Sequence, residues 1–249
     1  MQVHEWQTIW AKLNEHGGIK KILLNNTGDV WNHPECDEIL EVLKEGKRKW
    51  VVMTTNAGKM RYIPDGVDEL IISFNGGTKA GYEKTTGLPF EEVVENIRRL
   101  YPEMGKVKDL QMHCLMWDGN EGEEDDLLEL WKDFPGRIRV SYKYDNQQRT
   151  DHTLDEYKTE KRIPCDYVYN MLCIYPGGDV WMCAHDFHGK NVWGNVIHED
   201  LDRVILNAGR VEKLQEHIDG KFTGLCEKCN YNRPQDAGLF RYIKGAGAS

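Results

Sequence analysis

The sequence predicts an α/β protein: a strand–helix repeat with a parallel sheet, followed by a small α+β domain rich in cysteine. Three observations predict it. From residue 1 to about 144, apolar runs of strand length alternate with helical periodicity. Residues 145–162 are polar and charged. Beyond them, four cysteines fall into two pairs, Cys165 with Cys183 and Cys226 with Cys229.

In chain order, Val3, Trp6, Trp10 and Leu13 recur at helical spacing. Lys21–Asn25 reads as a buried strand, Glu35–Leu43 as a helix and Trp50–Thr54 as a strand. Leu70–Phe74 is a further strand, and Phe90–Leu100 a helix. Asp109–Trp117 and Arg137–Tyr142 are two more strands, with an acidic-started helix over Glu123–Asp133 between them. The expected count is five strands. The first element is a helix, whereas a βα repeat normally opens with a strand. Residues 145–162 are expected to be a linker. Met171–Tyr175 and Val180–Cys183 then form a hairpin around the turn Pro176-Gly177-Gly178-Asp179. Leu201–Ile218 is helical, in two pieces around Gly209, and residues 233–249 form a tail whose last five residues are expected to be disordered.

The chain has 249 residues, 40% hydrophobic and 29% charged, enough for one large domain or a medium one with a small partner. A net charge of −9 without any long Lys/Arg block argues against nucleic acid and anionic membrane as partners. No apolar run is long enough for a bilayer. The polar, amphipathic start over residues 1–16 is unlike a signal peptide. A cytoplasmic, reducing setting is expected, in which a C-x-x-C serves as a ligand pair or redox site more often than as a structural disulfide.

Cys165 and Cys183 are separated by seventeen residues, with Gly178 five positions before Cys183; Cys226-Glu227-Lys228-Cys229 is a tight knuckle. The hairpin turn would bring Cys183 back near Cys165, and the knuckle would close the site from the other side. Four thiolates suit tetrahedral zinc and equally a [4Fe–4S] cluster, and ligand type alone does not separate the two. Mid-strand Cys173 reads as packing, as do Cys36 and Cys114. His185 and His188 flank Cys183 and read as surface residues or alternative ligands.

The pattern Cys165-x12-Gly178-x4-Cys183, with Cys226-x2-Cys229 and Gly194-Asn195-Val196, resembles the auxiliary-cluster domain of the radical SAM superfamily. That domain is called SPASM in its seven-cysteine form and Twitch in its shorter form. Residues 230–249 hold no further cysteine, so the resemblance is to the single-cluster version. The N-terminal part is similar to the same family's partial (β/α) barrel. Asn26-Thr27-Gly28-Asp29 resembles its glycine–glutamate–proline segment, with Asp29 and Val30 in place of glutamate and proline. Thr55-Asn56-Ala57-Gly58 resembles the end of its third strand, and Ser73-Phe74-Asn75-Gly76 with Tyr82, Thr86-Gly87 and Phe90-Glu91 its fourth strand and following helix.

The resemblance implies a partial radical-SAM-like barrel over residues 1–144 lacking its first strand, a linker over 145–162, an auxiliary cluster domain over 163–232 and a tail. It implies an auxiliary [4Fe–4S] cluster on Cys165, Cys183, Cys226 and Cys229. It also implies S-adenosylmethionine near Gly28, Asp29, Asn56, Ser73 and Asn75. The partners it implies are a peptide or small-metabolite substrate and an electron donor such as flavodoxin or ferredoxin. Independently, cofactors on parallel sheets bind at the carboxyl ends of strands, where these residues fall. Each segment alone is ordinary loop chemistry; three in series behind a cysteine domain point to a site.

The family's C-x3-C-x2-C loop, which follows the first strand, is not in this sequence. A fragment, a shortened homologue or a partner chain supplying the loop would each explain this. Two readings compete with the radical SAM one: a non-catalytic four-cysteine zinc interaction module, and a disulfide oxidoreductase on Cys226 and Cys229. The last is disfavoured because the knuckle sits in loop rather than opening a helix.

Overall fold

The computed structural model describes residues 1–25, 28–46, 48–142, 162–186, 188–227, 229 and 240–243, the last four as backbone. The chain folds into two units. The sheet unit comprises Gly17–Lys143 and Gly238–Ser249; the cysteine unit comprises Met1–His16 and Tyr144–Ala237.

Helix α1 (Val3–Glu15) buries Trp6, Trp10 and Leu13 of the expected stripe, with Ile9 in addition, while Val3 is half-buried. It belongs to the cysteine unit, although sequence order groups it with the sheet. Lys12 holds it there: its Nζ donates to the carbonyls of Val196 at 2.7 Å, Ile197 at 3.1 Å and Glu199 at 2.8 Å.

The sheet unit follows the expected repeat. Strands β1 (Lys21–Leu23), β2 (Trp50–Thr55), β3 (Glu69–Ser73), β4 (Asp109–Met116) and β5 (Arg137–Tyr142) are parallel and lie in sequence order. The sheet is open, and its far edge carries a strand absent from the sequence reading. That reading leaves residues 233–249 without an element, but Phe240–Ile243 pairs antiparallel with β5. Helices α2 (Cys36–Glu41), α3 (Lys79–Thr86), α4 (Phe90–Arg99) and α5 (Glu124–Leu130) fill the connections.

Alternation along the strands gives the sheet two unlike faces. Met53, Leu70, Ile72, Met112, Cys114, Ile138 and Val140 share one face and are buried. Each such side chain contributes roughly 1.5–3 kcal/mol relative to exposure. The opposite face is polar. Glu69 accepts from Lys21 Nζ at 2.8 Å and Trp50 Nε1 at 3.0 Å, and Gln111 Nε2 donates to Asp109 at 2.9 Å. Asp109 in turn accepts from Arg137. His113 Nε2 meets Gln111 Oε1 at 3.0 Å.

The cysteine unit is built from short pieces: α6 (Asp166–Asn170), then β6 (Cys173–Ile174), β7 (Asp179–Trp181) and β8 (Val192–Asn195) in an antiparallel sheet. Helices α7 (Leu201–Ile205) and α8 (Ala208–Ile218) follow. Their break precedes Gly209: Asn207 caps α8, its Oδ1 accepting from Gly209 N at 2.9 Å. The expected linker, apart from Arg162, and residues 245–249 lie outside the described residues. Among the described residues no helix is long and apolar enough to cross a membrane.

Candidate functional site

The cysteine site begins with the hairpin. Gly178 N donates to Tyr175 O at 2.9 Å, closing a turn in which Pro176 and Gly177 (φ +85°) occupy the central positions of type II geometry. Gly178 follows at φ +87°, where a Cβ would lie 2.7 Å from Ile197 Cγ1 and 2.8 Å from Asn195 Oδ1. That explains the glycine five residues before Cys183. Asn195 locks the same turn, its Nδ2 donating to Gly177 O at 2.7 Å and to Asp179 at 2.8 Å.

The hairpin carries Cys183 just past β7. Cys165 is the N-cap residue of α6, and Cys226 ends a single 3-10 turn over Gly224–Cys226. Cys165, Cys183 and Cys226 are buried, while Cys229 is half-buried. Their thiols act on one another electrostatically. Burial raises the Cys226 thiol to about 11, and the charges of Cys229 and Cys165 add to the rise. Burial raises Cys183 to about 12, and Cys173 and Cys226 push further in the same direction. Cys165 is raised by burial, with Cys229 adding to it. Backbone N–H groups oppose these rises: those of Tyr167 and Val168 at Cys165, and those of His185 and Asp186 at Cys183. N–H groups directed at sulfur stabilise thiolate.

Two residues at this site carry no metal-site signal in the sequence. Cys173, read as packing, is buried beside the other thiols and is raised to about 12 by burial and then by Cys165. Arg162, the last residue of the expected linker, holds the knuckle. Its guanidinium donates to the carbonyls of Cys226, Glu227 (3.0 Å) and Cys229 (2.9 Å), and lies 4.0 Å above the Phe222 ring. His188 is exposed as expected, but His185 is half-buried with its ring edge-on to Tyr167 at 5.1 Å. Cys36 and Cys114 are buried apart from this group, Cys36 against Arg61 Nη2 at 2.8 Å.

Among the described residues, no three His, Cys, Asp or Glu side chains converge as ligands of one ion. A mononuclear zinc needs four sulfurs about 2.3 Å from one point. A four-iron cluster is wider and takes its cysteines farther apart. Buried Cys165, Cys183 and Cys226, with N–H groups directed at the sulfurs of Cys165 and Cys183, suit thiolate ligands of either kind of centre.

The second group of candidates lies on the carboxyl edge of the sheet. Asp29, after β1, joins two strand ends: Oδ1 accepts from Trp31 N at 3.1 Å, and Oδ2 from Thr55 Oγ1 at 2.7 Å and Asn56 N at 2.9 Å. Gly28 is exposed, and its carbonyl accepts from Asn25 Nδ2 at 2.8 Å. Asn56 Oδ1 accepts from Gly58 N at 2.9 Å, and Ala57 between them takes a left-handed φ of +62°. A non-glycine residue held there is strained, and such strain clusters at ligand sites. Asn75 Oδ1 accepts from Leu115 N at 2.9 Å, tying the end of β3 to β4, and its Nδ2 lies 3.5 Å from Ser73 Oγ. The structure thus links Asp29 with Asn56, and Ser73 with Asn75. Asn26 and Thr27 lie outside the described residues.

Comparison with known proteins agrees with both halves. Residues 165–230 match SPASM, the iron–sulfur cluster-binding domain. An uncharacterized protein of Treponema pallidum (strain Nichols) is 29% identical over 113 residues, 45% of this chain and 31% of that protein. The match thus spans about a third of the relative's length. Among solved structures, anSMEcpe with bound AdoMet and Kp18Cys peptide is 14% identical with a TM-score of 0.59, covering 96% of this chain and 84% of that one. BtrN in complex with AdoMet and 2-DOIA is 16% identical with a TM-score of 0.56, covering 92% and 80%. Streptococcus suis SuiB bound to S-adenosylmethionine is 14% identical with a TM-score of 0.56, covering 83% and 59%. The fold is thus that of these AdoMet-bound structures, an open β/α sheet whose first five strands are parallel, and residues 165–230 match the SPASM iron–sulfur cluster-binding domain.

Proposed function

We propose that this protein is a radical SAM/SPASM-type iron–sulfur protein in which Cys165, Cys183, Cys226 and Cys229 hold an auxiliary [4Fe–4S] cluster. The observation that carries the reading is the gathering of these four thiols from three separate elements, with N–H groups directed at the sulfurs of two. Such a cluster supplies one-electron transfer, and four cysteine ligands leave no iron open for substrate. The role is therefore electron relay, fed by a donor such as flavodoxin or ferredoxin.

Gly28, Asp29, Asn56, Ser73 and Asn75 form the edge for S-adenosylmethionine. Support comes from their place at the carboxyl ends of parallel strands and from the likeness to AdoMet-bound structures. The substrate class is a peptide or a small metabolite, by analogy with the peptide and the 2-DOIA in those structures. No C-x3-C-x2-C lies within these 249 residues, so the role assigned to them is binding and relay rather than cleavage of the cofactor.

Anaerobic reconstitution with iron and sulfide tests the reading. The expected result is about four irons and four sulfides per chain, with a broad absorbance near ~400 nm. Serine at any of the four cysteines should abolish it. A colourless protein retaining one zinc would overturn the proposal in favour of an interaction module.

A further inference from the structure

His217 closes α8 and is 2% exposed. Its Nδ1 accepts a hydrogen bond from the backbone N–H of Cys165 at 3.2 Å. A ring nitrogen that accepts carries no proton, so the neutral imidazole keeps its single proton on Nε2. Burial lowers the pKa of the ring, with Lys213 and Arg162 acting in the same direction and Glu216 opposing them. Phe222 packs against it at 4.9 Å, and the Arg162 guanidinium covers Phe222.

The remaining donor has nowhere to go. Nε2 is buried and has no hydrogen-bond partner among the described residues. Buried donors are nearly always satisfied, and one without an acceptor raises the question of what meets it in the working protein. The polar ring belongs to a residue bonded to a proposed cluster ligand, so an acceptor carried by that cluster lies close at hand.

We propose that His217 Nε2–H donates a hydrogen bond to a sulfur of the iron–sulfur cluster at Cys165 and so helps set the cluster's reduction potential. The inference rests on the cluster reading above. Reduction adds negative charge to the sulfurs, so an N–H donor stabilises the reduced cluster more than the oxidised one. Through its Nδ1, His217 also orients the Cys165 backbone, as outer-shell groups orient metal ligands.

The test uses the full chain, reconstituted anaerobically. His217→Phe keeps an aromatic ring against Phe222 and removes the N–H; His217→Gln restores a side-chain N–H. In an EPR-monitored redox titration, His217→Phe should lower the reduced-to-oxidised ratio at fixed potential by about threefold to tenfold, the scale of one charge-assisted hydrogen bond. His217→Gln should recover most of it. In wild-type protein labelled with 15N-histidine, pulsed EPR of the reduced cluster should show a coupled nitrogen. That measurement needs no variant and stands if His217→Phe fails to fold. Full iron content with an unchanged potential and no nitrogen coupling overturns the inference, as would a buried water being the acceptor. Absence of any cluster in the wild type would instead bring down the underlying reading, and the inference with it.

Discussion

The sheet unit buries Met53, Leu70, Ile72, Phe74 and Met112 completely. The cysteine unit places thiols, the His217 ring and the Arg210 guanidinium in its interior. Arg210 is itself spoken for, donating to the carbonyls of Ile205 at 2.9 Å and Tyr169 at 3.0 Å. The first unit has an ordinary apolar core beneath long parallel strands. The second has strands of two to four residues and, besides α1, helices of five to eleven, and it buries Val168, Val180, Val196 and Val204 alongside the thiols. Stability in the first is a matter of area removed from water; in the second the proposed cluster would add its own binding free energy.

The sharpest way to break this comparison is to remove the centre of the second unit. Cys183→Ser should abolish cluster binding and accelerate amide exchange across β7 and α8 by about a hundredfold or more, because at such sites binding free energy is folding free energy. Exchange at β3 and β4 should stay as it was. Equal acceleration in both units would show that they share one core.

The converse change is smaller. Leu70→Ala should destabilise the sheet unit by about 2–5 kcal/mol, read from its denaturation midpoint, with iron content unchanged.

Smallest is an acid effect confined to the sheet. Burial, with Arg139 next, lowers His113 from the ordinary imidazole value of 6.5 to about 4. The unfolded chain takes up a proton near pH 6.5 and the folded one does not until about pH 4. Stability should therefore be full above pH 6.5 and decline as pH falls toward 4, by at most roughly 3 kcal/mol. His113→Gln should flatten that decline; an unchanged acid limb would place its cause elsewhere.

What the sequence made legible follows the same division. The strands β2 and β3 are readable because each carries a dense apolar run, β4 and β5 because apolar residues alternate along them, and α1 because its tryptophans repeat at helical spacing. Helix α3 is weaker, with Ala80 and Tyr82 its only apolar side chains; its signals are the Thr78 cap and Gly87 at φ +70°. The pairing of Phe240–Ile243 with β5 joins residues about a hundred positions apart and leaves no local trace. In the cysteine unit, spacing singles out four thiols and the turn glycine. Cys173 stays hidden because a mid-strand cysteine looks like any small hydrophobe. Arg162 sits in a charged stretch that reads as solvated, and His217 on the last turn of an amphipathic helix. Their roles arise from tertiary placement alone.

The grip of Lys12 on the carbonyls of Val196 and Glu199 has a consequence for biosynthesis. Helix α1 is made before the acceptors for its ammonium group, which lie 184 to 187 residues further along the chain. The place of α1 in the cysteine unit is therefore fixed only after Val196–Glu199 have been made.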